Sequence, residues 1–246
     1  SDVYKRQAAD FERNRAEGKL SAMLTVEEGG CCKGSLGVLR RMYELGVRMM
    51  TLTWNHENEL ASPQRNPGGV LVPQTEKGLT GKGFEFLAEM ERMHMIVDVS
   101  HLSDKGFWDI VEHGTRPFAA SHSNCRALAP HTRNLTDEMI RALSERGGIA
   151  GLNYYAPFLD TDPTHPENCR STVELIAKHA AHYKQVGGAQ MIALGSDFDG
   201  IDGPHQLENA AFLPLLADAL RKEGFTEDEV EGIYYRNAMR FFEENL

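Results

Sequence analysis

Two short apolar segments that each end in Ser-His constrain this chain more than any other feature. Residues 95–101 read Met-Ile-Val-Asp-Val-Ser-His, and residues 117–122 read Pro-Phe-Ala-Ala-Ser-His. The residues between them have a helical pattern, from 103 to about 112. This predicts a strand–helix–strand unit with His101 and His122 at the carboxyl ends of two parallel strands.

The shared position of the two histidines indicates a metal site. In α/β barrels the active site is built at the carboxyl end of the strands. Neutral imidazoles are good ligands for a zinc-type ion. Either His101 or His122 alone would be equally well explained as a buried structural histidine, but the common placement favours a joint role.

The same alternation of strand and helix continues along the chain. We predict six strands, at residues 22–26, 47–53, 95–101, 117–122, 149–153 and 191–195. Strands that are separated by helices or long crossovers form a parallel sheet. A closed TIM-type (β/α)8 barrel needs eight strands, and this chain finishes with helices. We therefore expect an N-terminally truncated barrel that retains the third to eighth strands.

This interpretation predicts a single incomplete metallo-hydrolase barrel domain over residues 8–246. Residues 1–7 join no pattern and are expected to be a non-native or disordered leader. Two capping boxes are predicted, at Ser171–Glu174 and Thr226–Glu229. His179 and His182 lie three residues apart on one predicted helix and are expected to be solvated.

Composition excludes some classes of function. The net charge of −10 over 246 residues argues against a nucleic-acid partner, because phosphate groups need a basic face. Four cysteines without CxxC spacing suit a reducing compartment, so we expect a cytoplasmic protein. No apolar stretch approaches the roughly 20 residues that span a bilayer.

Polar side chains follow nearly every predicted strand, at the same end of the sheet. They are Glu27, Glu28, Asn55, His56, His101, His122, Asn153, Asp197 and Asp199. A carboxylate, two histidines and a late aspartate suit a hydrolytic metal site, where the ion activates water and the aspartate moves a proton. Each residue alone is more simply explained as a helix cap or turn residue.

Together, the ordered motifs carry a family resemblance. They are Val26-Glu27, Leu36…Tyr43-x-x-Gly46-x-Arg48, Leu52-Thr53, Asp98-x-x-His101, Ser121-His122-Ser123, Arg133-Asn134 and Gly195-x-Asp197-Phe198-Asp199-Gly200. From about residue 8 to the C-terminus, the chain resembles the membrane (renal-type) dipeptidases, the M19 metallopeptidases of the amidohydrolase superfamily. The resemblance implies zinc-dependent hydrolysis of dipeptides by metal-activated water, with two zinc ions in the complete enzyme. Family members are often dimers, which implies a homodimer.

The resemblance also implies which residues bind the metal. Glu27 would bridge two zinc ions and serve in catalysis, and its spacing to Tyr43 favours it over Glu28. The choice between the two glutamates stays open, because the family usually has a single one here. His101 and His122 would bind one zinc ion.

Other roles concern the substrate. Arg133 would hold the terminal carboxylate through its bidentate guanidinium. Asp197 would be the acid/base that handles the proton of water. Asn153 and Tyr154 would line the substrate pocket or simply pack.

Two departures from the family pattern affect these roles. No His-x-Asp pair stands on a first strand here, so one zinc site is expected to be incomplete. A histidine that follows Leu-Thr in many members is replaced by Trp54, and His56 is a candidate substitute.

Three hypotheses follow. The first is a zinc-dependent dipeptidase that acts on small dipeptides. The second is another amidohydrolase reaction, on a lactam or lactone or by deamination. The third is that the chain as given is a non-catalytic fragment.

Overall fold

The computed structural model describes residues 8–64, 72–160, 168–203 and 205–246. The predicted leader, residues 1–7, lies outside the described residues. The chain divides into two compact units, and each is described by itself. The first unit comprises residues 1–118 and 239–246, and the second comprises residues 119–238.

The first unit contains three parallel strands in chain order, β1 (Leu24–Glu27), β2 (Val47–Thr51) and β3 (Ile96–Asp98). Glu27 is in register with Thr51, and Thr51 is in register with Asp98. The last residues of the three strands are therefore level with one another. Any side chain that follows these strands starts from the same edge.

Four helices of the first unit connect or flank these strands. They are α1 (Ala8–Ala16), α2 (Leu36–Glu44), α3 (Gly81–Arg92) and α4 (Asp104–His113), with a 3-10 turn at Gly29–Cys32. The hydroxyls of Ser35, Thr80 and Ser103 each accept a hydrogen bond from the backbone N–H three residues later. Such caps satisfy N–H groups that have no partner inside the helix, so they define where α2, α3 and α4 begin.

The second unit also contains three parallel strands, β4 (Ala119–Ala120), β5 (Ile149–Leu152) and β6 (Ile192–Leu194). Its helices are α5 (Asp137–Glu145), α6 (Ala156–Leu159), α7 (Val173–Gly187), α8 (Leu213–Lys222) and α9 (Glu227–Glu231), with 3-10 turns at Ala189–Met191 and Ala210–Phe212. A π-helical segment, Gly232–Arg236, follows α9. The helix α10 (Asn237–Asn245) ends the chain, and from residue 239 it belongs to the first unit.

Two glycines of the second unit allow its strands to approach closely. A Cβ on Gly151 would overlap the carbonyl oxygen of Ser121 and lie 2.8 Å from the Cα of Gly195. A Cβ on Gly195 would overlap the same oxygen. No other residue fits these positions without moving backbone, so the two glycines set the spacing at the carboxyl ends of these strands.

The predicted order of six parallel strands and intervening helices is confirmed. The strands are shorter than predicted, at one or both ends. The short helix α6 was not predicted. The capping box at Thr226–Glu229 is confirmed.

The predicted capping box at Ser171–Glu174 is wrong. The cap is Thr172, whose hydroxyl accepts a hydrogen bond from the N–H of Leu175 at 3.3 Å. Ser171 forms an isolated parallel bridge with His205 instead. Because this pairing fixes Ser171 in an extended segment, the helix starts one residue later.

Candidate metal and substrate site

A carboxylate and an imidazole meet at the strand edge of the first unit. Glu27 is the last residue of β1, and His101 follows the end of β3 by three residues. The Nε2 atom of His101 lies 2.9 Å from Oε1 of Glu27. His101 is buried, whereas about half of the Glu27 side chain is exposed, at 47%.

Asn55 orients the ring of His101. Its Oδ1 lies 3.1 Å from Nδ1 of the histidine. An amide oxygen only accepts, so in the neutral ring this contact is satisfied with the proton on Nδ1, and Nε2 then presents its lone pair to Glu27. A nitrogen lone pair and a carboxylate oxygen in contact need a proton or a cation between them. The donor set therefore fits a metal ion of the zinc type, which prefers imidazole nitrogen and carboxylate oxygen.

Buried Asp98 fixes the turn that carries His101. Its Oδ2 accepts from the hydroxyl of Thr51 at 2.7 Å. Its Oδ1 accepts from the backbone N–H and the hydroxyl of Ser100, at 3.2 and 3.0 Å. Bonds to an ionised acceptor are among the stronger protein hydrogen bonds, so the path from β3 to His101 is firmly held.

Glu28 faces a different set of atoms from Glu27. Its Oε1 accepts from Nδ2 of Asn58 at 3.4 Å, and the same amide donates to the carbonyl of Leu52 at 2.9 Å. Glu28 has a φ of 116°, an unusual value for a residue with a side chain. A Cβ on Gly30 would overlap the Glu28 carboxylate. The geometry within this unit therefore favours Glu27 as the metal ligand.

Trp54 and His56 lie on the exposed side of this group. The ring centroid of Trp54 is 6.3 Å from that of His101 and 6.0 Å from that of His56. Both Trp54 and His56 are exposed. The indole thus lies beside His101, and the rings of Trp54 and His56 are arranged edge to face.

In the second unit, His122 follows β4 by two residues and is buried. Its Nδ1 lies 2.8 Å from the hydroxyl oxygen of Ser121. This bond orients the imidazole. The backbone carbonyl oxygen of His122 also accepts a longer hydrogen bond from Nδ2 of Asn153, at 3.4 Å.

Asp197 is held in place by both its backbone and its side chain. Its φ of 66° is left-handed, and its carbonyl accepts from the N–H of Gly200 at 3.1 Å. A Cβ on Gly200 would lie 2.5 Å from Oδ1 of Asp197, so the glycine leaves room for the carboxylate. Asn153 donates from Nδ2 to Oδ2 of Asp197 at 3.0 Å. Asp199 has the same φ and is exposed, as expected for a turn residue.

Arg133 lies over an aromatic ring in the second unit. Its guanidinium carbon is 5.2 Å from the centroid of Phe158, and the residue is only 8% exposed. Its backbone N–H donates to Nδ1 of His131 at 3.1 Å. Burial, with the charges of Arg133 and Arg126, lowers the pKa of His131 to about 4. The neutral ring can therefore act as the acceptor that holds this loop.

Tyr154 is fully buried, and burial raises its pKa. Its hydroxyl has no hydrogen-bond partner among the described residues. The ring packs edge-on against Phe198, with centroids 5.5 Å apart. This environment is that of a core residue.

The prediction that His179 is solvated is wrong. The residue is 1% exposed, and its Nδ1 accepts from the backbone N–H of Cys125 at 3.0 Å. Its Nε2 lies 3.1 Å from the carbonyl of Leu159, and burial lowers its pKa to about 4. Ile176 and Tyr183 flank His179 at helical spacing and are also buried, a periodicity that would have placed the histidine on the apolar face. His182 pairs with Asp137 at 2.7 Å.

Comparison with known proteins identifies the family of the chain. A family model described as membrane dipeptidase (peptidase family M19) matches residues 3–245. The chain belongs to the membrane dipeptidase family. This family consists of metallo-dipeptidases, which are hydrolases of the amidohydrolase superfamily.

Two curated relatives are similar to this chain over most of its length. The chain is 36% identical to an uncharacterized protein in the pqqA 5′ region of Klebsiella pneumoniae, over 95% of this chain and 85% of that one. It is 35% identical to an uncharacterized dipeptidase of Schizosaccharomyces pombe, over 92% of this chain. It spans only 53% of the length of that relative.

A solved structure shows the fold. The metallopeptidase from Rhodobacter sphaeroides, liganded with a phosphinate mimic of the dipeptide L-Ala-D-Ala, has a TM-score of 0.87 and 28% identity. The match covers 98% of this chain and 68% of that one. The chain thus has an α/β fold of the TIM-barrel type, and the part that the structure describes contains six parallel strands. Among the described residues, every helix is too short or too polar to cross a lipid bilayer.

Proposed function

We propose that this chain is the catalytic part of a zinc-dependent dipeptidase. The observation that carries the proposal is the contact of 2.9 Å between Glu27 and His101, at the carboxyl ends of two parallel strands. Membership of a metallo-dipeptidase family supports it. The dipeptide mimic bound to the Rhodobacter sphaeroides relative supports a dipeptide as the substrate.

Glu27, His101 and His122 would hold the metal. Each offers a ligand atom that zinc prefers, and each lies at or just after the end of a strand. Asn55 and Ser121 would act as outer partners that orient the two imidazoles, at 3.1 and 2.8 Å. A bound zinc ion would supply a Lewis acid for the peptide carbonyl and lower the pKa of water to about 7.

Arg133 would bind the terminal carboxylate of the dipeptide. The guanidinium carbon lies 5.2 Å from the centroid of the Phe158 ring, and a guanidinium has a planar fork that matches the geometry of a carboxylate. The neutral state of His131 suits this role, because a positively charged imidazole beside Arg133 would raise the free energy of burying the guanidinium.

Asp197 would take a proton from the attacking water and pass it to the leaving amine. Asn153 would fix which carboxylate oxygen is available, because its amide already donates to Oδ2. The full burial of Tyr154 favours packing over substrate contact. His56 is the remaining candidate for a contact to the reacting carbonyl, since it is exposed beside Trp54.

Three further statements remain predictions of the proposal. From the family we expect two zinc ions in the complete enzyme. Free cysteines at positions 31, 32, 125 and 169 suit a cytoplasmic location. A homodimer is expected from the family.

Kinetics on matched substrates test the function. The zinc-loaded chain, and the longest reading frame that contains it, should be assayed on an alanyl dipeptide and on its C-terminal carboxamide. We expect hydrolysis of the free acid and a kcat/KM for the carboxamide lower by about 100-fold, because guanidinium pairs with carboxylate. Arg133→Lys should raise KM for the acid by about tenfold and reduce this preference.

Three other outcomes of this assay would lead to different conclusions. Equal rates on acid and carboxamide, or preference for a lactam, a lactone or an amino-substituted ring, would favour another amidohydrolase reaction. No turnover of any dipeptide by the longer reading frame would refute the proposed function. Turnover by the longer frame alone would support the view that the chain as given is a non-catalytic fragment.

A further inference from the structure

Three fully buried asparagines form a hydrogen-bonded network within the second unit. They are Asn124, Asn134 and Asn153. The backbone N–H of Asn124 donates to Oδ1 of Asn134 at 3.1 Å. The backbone N–H of Asn153 donates to Oδ1 of Asn124 at 3.0 Å, and Nδ2 of Asn124 donates to the carbonyl of Asn153 at 2.9 Å. Asn124 is therefore the central member.

One end of this network reaches the loop that carries Arg133. The Nδ2 atoms of Asn124 and Asn134 both donate to the carbonyl of Phe158, at 3.2 and 2.9 Å. The ring of Phe158 is the one that lies under the guanidinium of Arg133. Asn134 follows Arg133 directly in sequence, so two connections tie the arginine to the network.

The other end reaches Asp197. Nδ2 of Asn153 donates to Oδ2 of Asp197 at 3.0 Å, and Oδ1 of Asn153 accepts from the N–H of Tyr155 at 2.6 Å. With both side-chain atoms engaged, the amide of Asn153 cannot rotate without breaking a bond. The position of the aspartate carboxylate thus depends on the position of Asn153, which Asn124 sets.

We propose that Asn124 is a positioning residue that fixes the distance between Arg133 and Asp197 and thereby selects substrates by length. The inference rests on the proposed function, since it assigns Arg133 to the terminal carboxylate and Asp197 to the proton transfer. A fully satisfied buried polar network is rigid, and a rigid frame holds two groups at one separation. A dipeptide has its carboxylate one residue from the scissile bond, whereas a tripeptide has it one residue further away.

Substrate length provides the test. Asn124→Ala removes the side-chain donor and the side-chain acceptor of the central residue. We expect kcat/KM for a dipeptide to fall by about tenfold or more, with little change for the corresponding tripeptide, so that the preference for dipeptides shrinks. A loss of fold stability alone would lower both rates equally.

Asn237→Ala is the matched control. Its Nδ2 donates to the carbonyls of Ala189 and Ile192, at 2.9 and 2.8 Å, in the same unit but outside the network. We expect a comparable fall in Tm and an unchanged preference for dipeptides. An equal change of preference in both variants, or in neither, would overturn the inference.

Hydrogen exchange gives a second measurement that needs no turnover. In Asn124→Ala, amide protection should fall both around residue 134 and around residues 153–155, while protection on α7 is kept. Asn134→Ser should show the same remote effect at 153–155 if Asn124→Ala fails to fold. If amide protection falls only at residues adjacent in sequence to the substituted asparagine, the proposed coupling through the network is refuted. If the wild-type protein hydrolyses no dipeptide, the proposed function fails, and exchange still decides whether the network couples the two loops.

Discussion

Acidification should destabilise the folded chain through His179. Burial lowers the pKa of this histidine from 6.5 to about 4, so the folded state keeps it neutral where the unfolded state binds a proton. The contribution of neutral His179 to the free energy of unfolding is fully present above pH 6.5 and is lost as the pH falls toward 4. At about 1.4 kcal/mol per pH unit, the loss is roughly 2 kcal/mol at pH 5 and roughly 3 kcal/mol at pH 4.

His179→Gln isolates this effect. Glutamine keeps one donor and one acceptor for the carbonyl of Leu159 and the N–H of Cys125, so the variant should fold. Urea unfolding at pH 7 and pH 5 gives the free energy of unfolding of both proteins. Every other titrating group is shared, so the difference between the two proteins reports His179 alone.

The wild type should lose about 2 kcal/mol more than the variant between pH 7 and pH 5. His131 also has a pKa lowered to about 4, so the variant should retain part of the acid sensitivity. His113→Gln, at an exposed position, is the control and should behave like the wild type. Equal losses in the wild type and His179→Gln would refute the buried neutral histidine.

Three other substitutions test separate parts of the structure. Hydrogen bonds from Arg92 and a second arginine lower the pKa of Glu89 to about 2, so the wild type should lose more stability than Glu89→Gln between pH 4.5 and 2 in acid-unfolding curves, and equal losses would contradict this pairing. Gly151→Ala should cost about 3 kcal/mol or more in urea unfolding, because the new Cβ overlaps the backbone at Ser121; an unchanged midpoint would contradict the close approach. Tyr154→Phe should raise the free energy of unfolding by up to about 1 kcal/mol with KM unchanged, and a raised KM would instead place the hydroxyl at the substrate.

The strand order was predictable because short apolar segments recur between helical patterns. Parallel pairing follows from that alternation, and the strand-end position of Glu27 and His101 follows from the pairing. Thr226 was predicted correctly as a cap because its box is local in sequence.

What could not be predicted depends on contacts between distant residues. Ser171 fits the same local pattern as Thr226, but its pairing with His205 moves the helix start to Thr172. The role of Asn124 was missed, since its partners lie 10 and 29 residues away and a lone asparagine in a loop resembles any turn residue. His179 lies on the apolar face of α7, and the backbone groups that satisfy its ring belong to Cys125 and Leu159, far away in sequence.

Zinc affinity tests the central claim most directly. Competition with a chromophoric chelator gives the Kd of the chain, of Glu27→Gln and of the adjacent control Glu28→Gln. Removal of a direct ligand should weaken binding by about 100-fold or more, whereas Glu28→Gln should stay within about twofold, because Glu28 faces Asn58 and not His101. Equal affinity in the wild type and Glu27→Gln, or a loss confined to Glu28→Gln, would contradict the assignment of Glu27 and His101 to the metal.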